Sequence, residues 1–333
     1  MGKTNVLDAI YFLSLCKSHT GVFDGQVIRH EADFAMIQGD CRIAANSHEF
    51  YCGMKRGQRK VFKRDRKEYE RLSAHIGALP LVMVSPSDFG LITGGSDERR
   101  RLMDMILSQY DRDYLHSLIA YNKALAQRNA LLKSGMPDNA LMDIWEEQMA
   151  AYGSEIYKKR DEMAGRMSLI FDEFYTAVSG SAEHAALIYE SQLEQGDPGA
   201  QLNASRDRDR ILGFSSVGIH KDDLKMMLDG YPVKRVASQG QSKTFLVALK
   251  LAQYAFLKEH HGNNPILLLD DVFDKLDSQR VEQIIRLVSG DGFGQIFISD
   301  TNRNHIDELL PAFEGAYKIF HVENGVVTLN GNY

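Results

Sequence analysis

A chain of 333 residues can bury a full core, and its length favours two domains or one large domain with an insertion. The net charge of −6 argues against a protein coated in nucleic acid, although it permits a local basic surface. No apolar run reaches the roughly 18 residues of a membrane span, and we expect no signal peptide. The three cysteines are odd in number and lack metal-binding spacing, which favours reduced thiols in a cytoplasmic protein.

The chain opens with MGKTNVLDAIYFLS, in which Gly2, Lys3 and Thr4 match the end of the P-loop pattern GxxxxGK[ST]. In that pattern a glycine-rich turn directs backbone N–H groups and a lysine at phosphates, at the start of a helix. Apolar residues at helical spacing follow, so the three residues stand at the start of a predicted amphipathic helix. A GKT triplet alone is weak evidence and needs support from the rest of the chain.

Short alternations of apolar and polar residues between Ala32 and Phe62 predict the strands of a meander, with a turn at Lys55 to Gly57. The run LPLVMVSP, from Leu79 to Pro86, predicts a further buried strand that ends at proline. These segments indicate that the first part of the chain contributes strands to the fold.

The segment from Lys55 to Arg71 carries nine Lys or Arg residues against three Asp or Glu residues. Such a segment can contact the phosphates of DNA, although a solvated hairpin that leads into a polar helix is the alternative. The candidate DNA-binding residues are Lys55, Arg56, Arg59, Lys60, Lys63 and Arg64.

Helical patterns dominate from Ser96, a predicted N-cap, to about Gly180. The segment SGMPDN, residues 134–139, predicts a tight turn between two long helices. The lack of sustained heptads favours a compact helical arm over a coiled coil. Strand patterns return in GFSSVGIH and in DLKMMLDGYPV, the latter with a turn at Asp229 and Gly230.

Two adjacent carboxylates follow a buried strand in NPILLLDDVFDKLD, from Asn264 to Asp277. Residues 266–269 are all apolar, and open α/β sheets place their ligands at the carboxyl ends of such strands. In a nucleotide-hydrolysing site Asp270 would hold Mg²⁺ and Asp271 would polarise the attacking water. The alternative is a strand that runs into a polar loop, although two adjacent buried acids without a cation would be costly.

A Ser-Gln-Gly turn leads into a strongly apolar helix in ASQGQSKTFLVALKLAQYAFLKE, from Ala237 to Glu259. The N–H groups and the macrodipole at the start of that helix would attract a phosphate, although an ordinary capped helix is the alternative. The turn lies 32 residues before Asp270, which favours the phosphate-binding interpretation. Its candidate phosphate-binding residues are Ser238, Gln239, Gly240 and Gln241.

The order of GKT, SQGQ and LLLDD resembles the ABC-type ATPases, and longer stretches resemble the RecF family of their SMC-like branch. GKTNVLDAIYFLSLCKSH is similar to the first helix of that family with its KSH tail, and SPSDFGLITGGSDERRRLMD to its SPEDL-to-ERRRFLD segment. VGIHKDDL is similar to the family's VGPHRDDL strand, with Ile219 in place of proline and Lys221 in place of arginine. The resemblance covers essentially the whole chain in the expected order.

This resemblance implies an α/β fold with an ABC-type P-loop ATPase head, in which helices flank a mixed sheet, and an inserted helical arm subdomain. We expect residues 1–95 to form the N-terminal part of the head, 96–205 the arm, and 206–333 the C-terminal part of the head. The last part would hold the turn at Ser238 to Gln241, which is called the signature turn below. It would also hold the Asp-Asp strand and a D-loop at Asp274 to Asp277.

ATP and Mg²⁺ are the cofactors that the resemblance implies. In this assignment Gly2 gives backbone access to the phosphates and Lys3, a catalytic residue, neutralises the β- and γ-phosphates. Thr4 binds Mg²⁺, and Asn5 completes the nucleotide-binding segment. These positions form one end of the implied ATP site.

At the other end, Asp270 is the second Mg²⁺ ligand and Asp271 the catalytic base. The signature turn of a second subunit covers the γ-phosphate, so that ATP holds a homodimer together. Its implied nucleotide-binding residues are Ser238, Gln239, Gly240 and Gln241.

The implied function lies in DNA replication, recombination and repair, within the SOS response. Proteins of this family are understood to dimerise on ATP, bind duplex DNA near single-strand gaps, and help load the recombinase RecA with RecR and RecO. Slow, DNA-stimulated hydrolysis releases the clamp, and no membrane partner is expected. The alternatives are an ABC subunit of another system, such as a transporter, and a non-hydrolysing paralogue that serves as an interaction module.

The sequence departs from the family pattern at several positions. The family has a strand and a glycine-rich turn before GKTN, so we expect Met1 to mark a late start site or a truncated gene. Transport ATPases carry a γ-phosphate-sensing histidine where this chain offers Asp300 or Thr301, which fits slow turnover. No Q-loop glutamine can be placed, and the roles of His220 and of the ERRR segment at Arg99, Arg100 and Arg101 stay open.

Overall fold

The computed structural model describes residues 2–43, 45–134, 138–180, 183–273, 276–301 and 316–332. The helices in these ranges are α1 (Lys3–Leu15), α2 (Asp24–Val27), α3 (Gly90–Thr93), α4 (Ser96–Tyr110), α5 (Arg112–Lys133), α6 (Asn139–Ser179), α7 (Pro198–Ala204), α8 (Arg206–Leu212), α9 (Val233–Val236), α10 (Gln239–His261) and α11 (Ser278–Ser289). The strands are β1 (Phe34–Ile43), β2 (Asn46–Lys55), β3 (Val61–Arg64), β4 (Lys67–Glu68), β5 (Leu81–Val84), β6 (Ala185–Glu190), β7 (Asp223–Leu228), β8 (Tyr231–Pro232), β9 (Ile266–Asp270), β10 (Ile296–Ser299), β11 (Lys318–Glu323) and β12 (Val326–Asn332).

The chain forms two compact units. The head unit comprises Met1–Phe89, Ala177–Gly180 and Ser238–Tyr333, and the arm unit comprises Gly90–Thr176 and Ser181–Ala237. Both ends of the chain therefore lie in the head unit. The boundary predicted at residue 205 differs from the structure, because residues 206–237 belong to the arm unit. The cause is β7, which pairs with β6 in the arm unit instead of entering the sheet of the head unit.

A three-stranded parallel sheet with the order β10-β9-β5 forms the centre of the head unit. All four residues of β5 are buried, as are residues 267–270 of β9, because strands of a parallel sheet are covered on both faces. The predicted strand between Leu79 and Pro86 is thereby confirmed as β5. Helix α10 contacts β5 and is buried along most of its length, and Gly262 ends it in the left-handed conformation.

A second, antiparallel sheet with the order β1-β2-β3-β4 lies in the same unit and confirms the predicted meander. Side chains alternate between its faces, and the inner face buries Phe50, Cys52 and Phe62 against Phe12 of α1. His75 lies in this core, where its Nε2 donates to the carbonyl oxygen of Leu13 at 2.7 Å.

The cysteines are free thiols in the head unit. Burial raises the pKa of Cys16 and of Cys52 to about 12, because it disfavours the thiolate more strongly than nearby Lys60 favours it. Burial also raises the pKa of the partly exposed Cys41. Since the thiolate is the reactive form, these thiols are structural side chains.

Three helices, α4, α5 and α6, dominate the arm unit, where two were predicted. The additional break falls at Asp111, whose carboxylate caps α5 by accepting a hydrogen bond from the Tyr114 N–H at 2.8 Å. At the start of α4 the cap position belongs to Gly95, and Ser96, the predicted cap, is the first helical residue. Of the predicted turn at 134–139, residues 135–137 lie outside the described residues.

A small antiparallel sheet, β6-β7-β8, completes the arm unit. The predicted turn at Asp229 and Gly230 is confirmed, and both residues have positive φ (49° and 79°), as a tight hairpin turn requires. The strand predicted in GFSSVGIH is wrong. Gly218 has φ 129° there, and the chain enters a 3-10 helix at Ile219–Lys221, which breaks the extended conformation.

Within the described ranges, no helix combines the length and the apolar character that crossing a bilayer requires.

Candidate functional site

The carboxyl ends of three parallel strands lie side by side at one edge of the central sheet. Val84 of β5 is paired with Leu269, and Ser299 of β10 with Asp270. The residues that follow β5, β9 and β10 therefore converge at this edge, where open α/β sheets bind their ligands.

The start of α1 faces the same edge. The Lys3 Nζ donates to the backbone oxygen of Asp300 at 2.7 Å, and the Thr4 hydroxyl donates to Oδ1 of Asp270 at 3.3 Å. Gly2 caps the helix with φ 116°, a conformation that side chains rarely adopt. Asn5 is exposed on the first turn. The two ends of the chain thus bring the predicted lysine and threonine to the predicted carboxylates.

The two carboxylates have different environments. Asp270 is buried and accepts a hydrogen bond from the hydroxyl of Ser299. Asp271 has φ 47°, and its carboxylate accepts the N–H of Thr301 at 3.1 Å. Burial raises the pKa of Asp271 above its ordinary value, and the neighbouring charge of Asp270 raises it further. The positive φ turns Asp271 out of the strand, so the adjacent acids serve different positions of the site.

The chemistry of these side chains fits Mg²⁺. Hydroxyl and carboxylate oxygens are the ligands that this hard cation prefers, and here the oxygens of Thr4 and Asp270 lie 3.3 Å apart. Two adjacent carboxylates, one of them buried, also favour a nearby cation, because their mutual repulsion is then relieved.

The signature turn forms the start of α10. The Ser238 hydroxyl accepts the N–H of Gln241 at 3.2 Å, and the Gln241 side chain accepts the N–H of Ser238 at 2.7 Å. This capping box fixes Gln239 and Gly240 in the first helical turn. The ordinary role of a helix cap and the predicted phosphate-binding role therefore use the same residues.

Arg280 beside the signature turn was not predicted. A Cβ on Gly240 would lie 2.7 Å from Nη1 of Arg280, so a larger residue there would displace the guanidinium group from this position. Asp277 caps α11 through the N–H of Arg280 and also pairs with its Nε at 3.4 Å. The feature of the sequence that could have indicated this contact is an arginine three residues after the capping aspartate. Of the predicted D-loop, Asp274 and Lys275 lie outside the described residues.

A buried ion pair links α10 to the loop after β5. The Nζ of Lys250 lies 2.7 Å from Oδ1 of Asp88, and Nε2 of His19 lies 3.6 Å from Oδ2. Burial alone would raise the pKa of Asp88, but the charge of Lys250 and the contacts of His19 outweigh it and lower the pKa. The sequence has no Q-loop glutamine in this loop, SPSD, and the structure shows that its aspartate, Asp88, binds Lys250. A lysine within the apolar run VALKLA was the feature of the sequence that could have indicated a buried ion pair.

The cations of the predicted basic stretch differ in the contacts that they make. The Arg56 guanidinium donates to four backbone oxygens, and the Lys60 Nζ contacts the Cys16 oxygen at 2.6 Å and Asp24 at 2.9 Å. Arg64 donates to His48 at 2.8 Å and lies over the ring of Phe50. These three side chains stabilise the head unit. A count of charges in the sequence cannot distinguish this role from DNA binding. Lys55 and Arg59 are exposed and Lys63 is partly exposed, and Arg59 donates to the backbone oxygen of Glu70 at 3.0 Å.

The two motifs with open roles meet in the arm unit. Arg99 binds the carboxylate of Asp223 through two hydrogen bonds of 2.6 and 3.0 Å, and Arg100 donates to the backbone oxygen of Asp222. Arg101 pairs with Glu98 on the surface. His220 accepts from the Tyr121 hydroxyl at 2.8 Å and donates to the backbone oxygen of Ser215 at 3.0 Å. Both motifs therefore have structural partners within this unit.

Four features together define the head of an ABC-type ATPase. They are the parallel sheet, the lysine and threonine at the start of α1, the paired aspartates, and the signature turn. No family model matches the chain. The DNA replication and repair protein RecF of Parabacteroides distasonis is 56% identical over 327 residues, covering 98% of this chain and 90% of the relative. The RecF of Bacteroides thetaiotaomicron is 55% identical over 333 residues, covering 99% of this chain and 90% of the relative.

This chain belongs to the RecF family. A solved structure described as the recombination mediator protein RecF-ATP in the RecFOR pathway has a TM-score of 0.86 at 28% identity and covers 98% of this chain and 90% of its own. The Smc head domain of Pyrococcus furiosus, with a TM-score of 0.54 at 16% identity, covers 98% of this chain and 86% of its own, and it shows the fold alone. The family and the α/β ABC-type fold that the sequence motifs predicted are confirmed.

Proposed function

We propose that the protein is a DNA-binding clamp that dimerises on ATP and acts in replication and recombinational repair. The observation that carries this proposal is the convergence of Lys3 and Thr4 with Asp270 and Asp271 at one sheet edge. Relatives named DNA replication and repair protein RecF support the DNA-directed role. The matched structure described as RecF-ATP supports ATP as the nucleotide.

In this proposal the chain's own residues bind and orient the triphosphate. Lys3 moves its ammonium group from the Asp300 carbonyl to the β- and γ-phosphates, a stronger partner because it is anionic. Thr4 and Asp270 would hold Mg²⁺, which would supply charge neutralisation at the phosphates. The N–H groups at the start of α10 from a second copy cover the γ-phosphate, so that nucleotide binding and dimerisation depend on each other.

Asp271 is the proposed general base. Its carboxylate directly follows the buried strand β9, and a carboxylate there could accept a proton from the attacking water. The Thr301 N–H holds one of its oxygens in place. Asp300 and Thr301 contribute backbone groups where transport ATPases carry a histidine, which fits slow hydrolysis, and we propose that DNA stimulates it.

The proposed partners are a second copy of the chain, duplex DNA with single-strand gaps, and the RecO and RecR proteins that the RecFOR description implies. Lys55, Arg59 and Lys63 are the exposed or partly exposed cations available for DNA phosphates. Work on chromosomal DNA would place the protein in the cytoplasm.

Retention of labelled duplex DNA on a filter, with and without ATP and Mg²⁺, tests this function. We expect ATP to increase retention, and we expect Lys3→Ala to reduce it to the level without nucleotide. Lys17→Ala, which removes an exposed lysine just beyond the end of α1, is the matched control and should behave as the wild type. Equal retention without nucleotide would defeat the proposal in favour of a nucleotide-independent interaction module.

A further inference from the structure

Arg280 lies at the signature turn, and the ATP site described above does not use it. A Cβ on Gly240 would lie 2.7 Å from its Nη1, 4.0 Å from its Cζ and 4.0 Å from the hydroxyl oxygen of Ser238. Nη1 is therefore the atom of the guanidinium group that lies closest to the turn. The arginine belongs to the first turn of α11, so α10 and α11 both contribute to this corner of the head unit.

Asp277 contacts the guanidinium group of Arg280 at its other nitrogen. Oδ2 of this aspartate lies 3.4 Å from Nε, and Oδ1 accepts the backbone N–H of Arg280 at 2.9 Å. An ion pair of this length, with the aspartate side chain 56% exposed, is weak because water screens it. Asp277 can therefore orient the guanidinium group and still leave its charge available to a stronger anion.

The terminal nitrogens of Arg280 are unused within the residues that the structure describes. No hydrogen bond or ion pair there engages Nη1 or Nη2, whereas Arg286 on the same helix pairs with Glu282 at 2.6 Å. The side chain of Arg280 is also mostly covered, with 24% of its surface exposed. A guanidinium group that has lost part of its hydration while its donors lack a partner favours an anionic ligand.

The first turn of α10 presents further donors at the same place. The N–H groups of Gln239 and Gly240 have no acceptor in the described part of the chain, because the first N–H groups of a helix lack an intrahelical partner. The turn contains no acidic residue, so no carboxylate of its own competes for these donors. Two backbone donors and one arginine therefore lie within a small region of the surface.

We propose that Arg280 binds the γ-phosphate of the ATP held by a second copy of the chain, together with the N–H groups of the signature turn. Arginine donates two parallel hydrogen bonds to phosphate oxygens and supplies a full positive charge, which backbone N–H groups lack. ADP has no γ-phosphate and would leave these donors without a partner. Arg280 is thus the residue by which the dimer distinguishes ATP from ADP. The inference rests on the proposed function for the dimer, and it adds the residue that recognises the third phosphate.

The test measures the dimer fraction by sedimentation of the whole chain across a series of concentrations of ATPγS, a slowly hydrolysed analogue, with Mg²⁺. Arg280→Met keeps an unbranched side chain beside Gly240 but removes the donors and the charge. We expect it to raise the ATPγS concentration for half-maximal dimer formation about 10- to 150-fold, as the loss of a hydrogen bond between charged groups predicts. Arg280→Lys keeps the charge without the fork of donors and should lie between Arg280→Met and the wild type.

The matched control is Arg286→Met, which removes a 66% exposed arginine from the same helix and should behave as the wild type. Binding of fluorescently labelled ADP to the monomer should change by less than about twofold in Arg280→Met, because Arg280 acts on the nucleotide of the other copy. The urea midpoints of Arg280→Met and Arg286→Met should be equal. If Arg280→Met unfolds at a lower urea concentration, the lysine variant decides, and a wild-type dimer midpoint for that variant overturns the proposal.

Dimer formation by Arg280→Met at the wild-type ATPγS concentration overturns the proposal. An equal loss of ADP binding also overturns it, because Arg280 would then act within its own copy or through the fold. A wild type that stays monomeric at every ATPγS concentration defeats the proposed clamp itself, and the role of Arg280 falls with it. The failure of the inference alone, in which the wild type and Arg280→Met dimerise alike, is therefore distinguishable from the failure of the proposed function.

Discussion

The buried side chain of His220 makes the stability of this protein depend on pH. Burial is the main cause that lowers its pKa to about 4, even though the hydrogen bond to Ser215 favours the charged ring. Tyr121 donates to its Nδ1, so the neutral ring with a proton on Nε2 satisfies both partners. A second proton on the ring would have to bind Nδ1, which already accepts the hydrogen bond from Tyr121.

The unfolded chain, in contrast, binds a proton on this histidine near pH 6.5. The contribution of His220 to the free energy of unfolding is therefore complete above pH 6.5 and falls as the pH drops from 6.5 towards 4. We expect a loss of at most about 3 kcal/mol over this window. Urea unfolding of the arm unit, followed by the fluorescence of Trp145 in α6, measures it at each pH.

His220→Gln should lower the free energy of unfolding at pH 8 and reduce its fall between pH 6.5 and 4 by the share that His220 contributes. His184→Gln changes an exposed histidine of the same unit and is the control. A wild-type unfolding free energy that stays constant between pH 6.5 and 5 would contradict this assignment.

At the scale of elements, α10 joins two parts of the head unit. Ser238 caps its start, and Lys250, near its middle, pairs with Asp88 after β5. Lys250 is 2% exposed, so its charge depends on this one carboxylate far more than a surface lysine would.

Asp88→Ala should therefore destabilise the head unit by roughly 3–5 kcal/mol, because it leaves a buried lysine without its carboxylate. The double variant Asp88→Ala with Lys250→Met removes both charges and should be more stable than Asp88→Ala alone. A double-mutant cycle measured by urea unfolding gives the coupling energy. Additive losses would show that the two side chains do not stabilise each other.

Elements with regular periodicity could be predicted from the sequence. The continuous apolar runs of β5 and β9 and the alternation in β1 and β2 were sufficient to place those strands. The break at Asp111 was missed because helical periodicity continues on both sides of it. The end of the arm unit was misplaced because strand pairing, here of β7 with β6, depends on tertiary contacts that no local pattern contains.

The site was predictable in part for a similar reason. Lys3, Thr4, Asp270 and Asp271 lie in short motifs of defined order, and the structure brings them together. Arg280 near Gly240 and the contact of Lys250 with Asp88 join distant segments and could not be read from spacing. The hydrogen bonds of Arg56 and Lys60 to backbone carbonyls were also hidden, because a cation with such partners looks the same in a sequence as one without them.

The whole molecule is proposed to work as two copies of the chain that enclose ATP. In that proposed dimer one copy would supply Lys3, Asp270 and Asp271, and the other would supply the start of α10 with Ser238. Because each copy would cover only one side of the γ-phosphate, the dimer should exist only while a triphosphate is bound. Hydrolysis with Asp271 as the base would then end the dimer and release DNA.

The most direct test is the molar mass in solution of the Asp271→Asn variant, measured by sedimentation with ATP and Mg²⁺ and again with ADP and Mg²⁺. Removal of the base should slow hydrolysis about 10²- to 10⁴-fold while leaving nucleotide binding intact. We predict a dimer with ATP and a monomer with ADP, and a monomer in both for the double variant with Lys3→Ala. A mass that is the same with ATP, with ADP and without nucleotide would contradict the account.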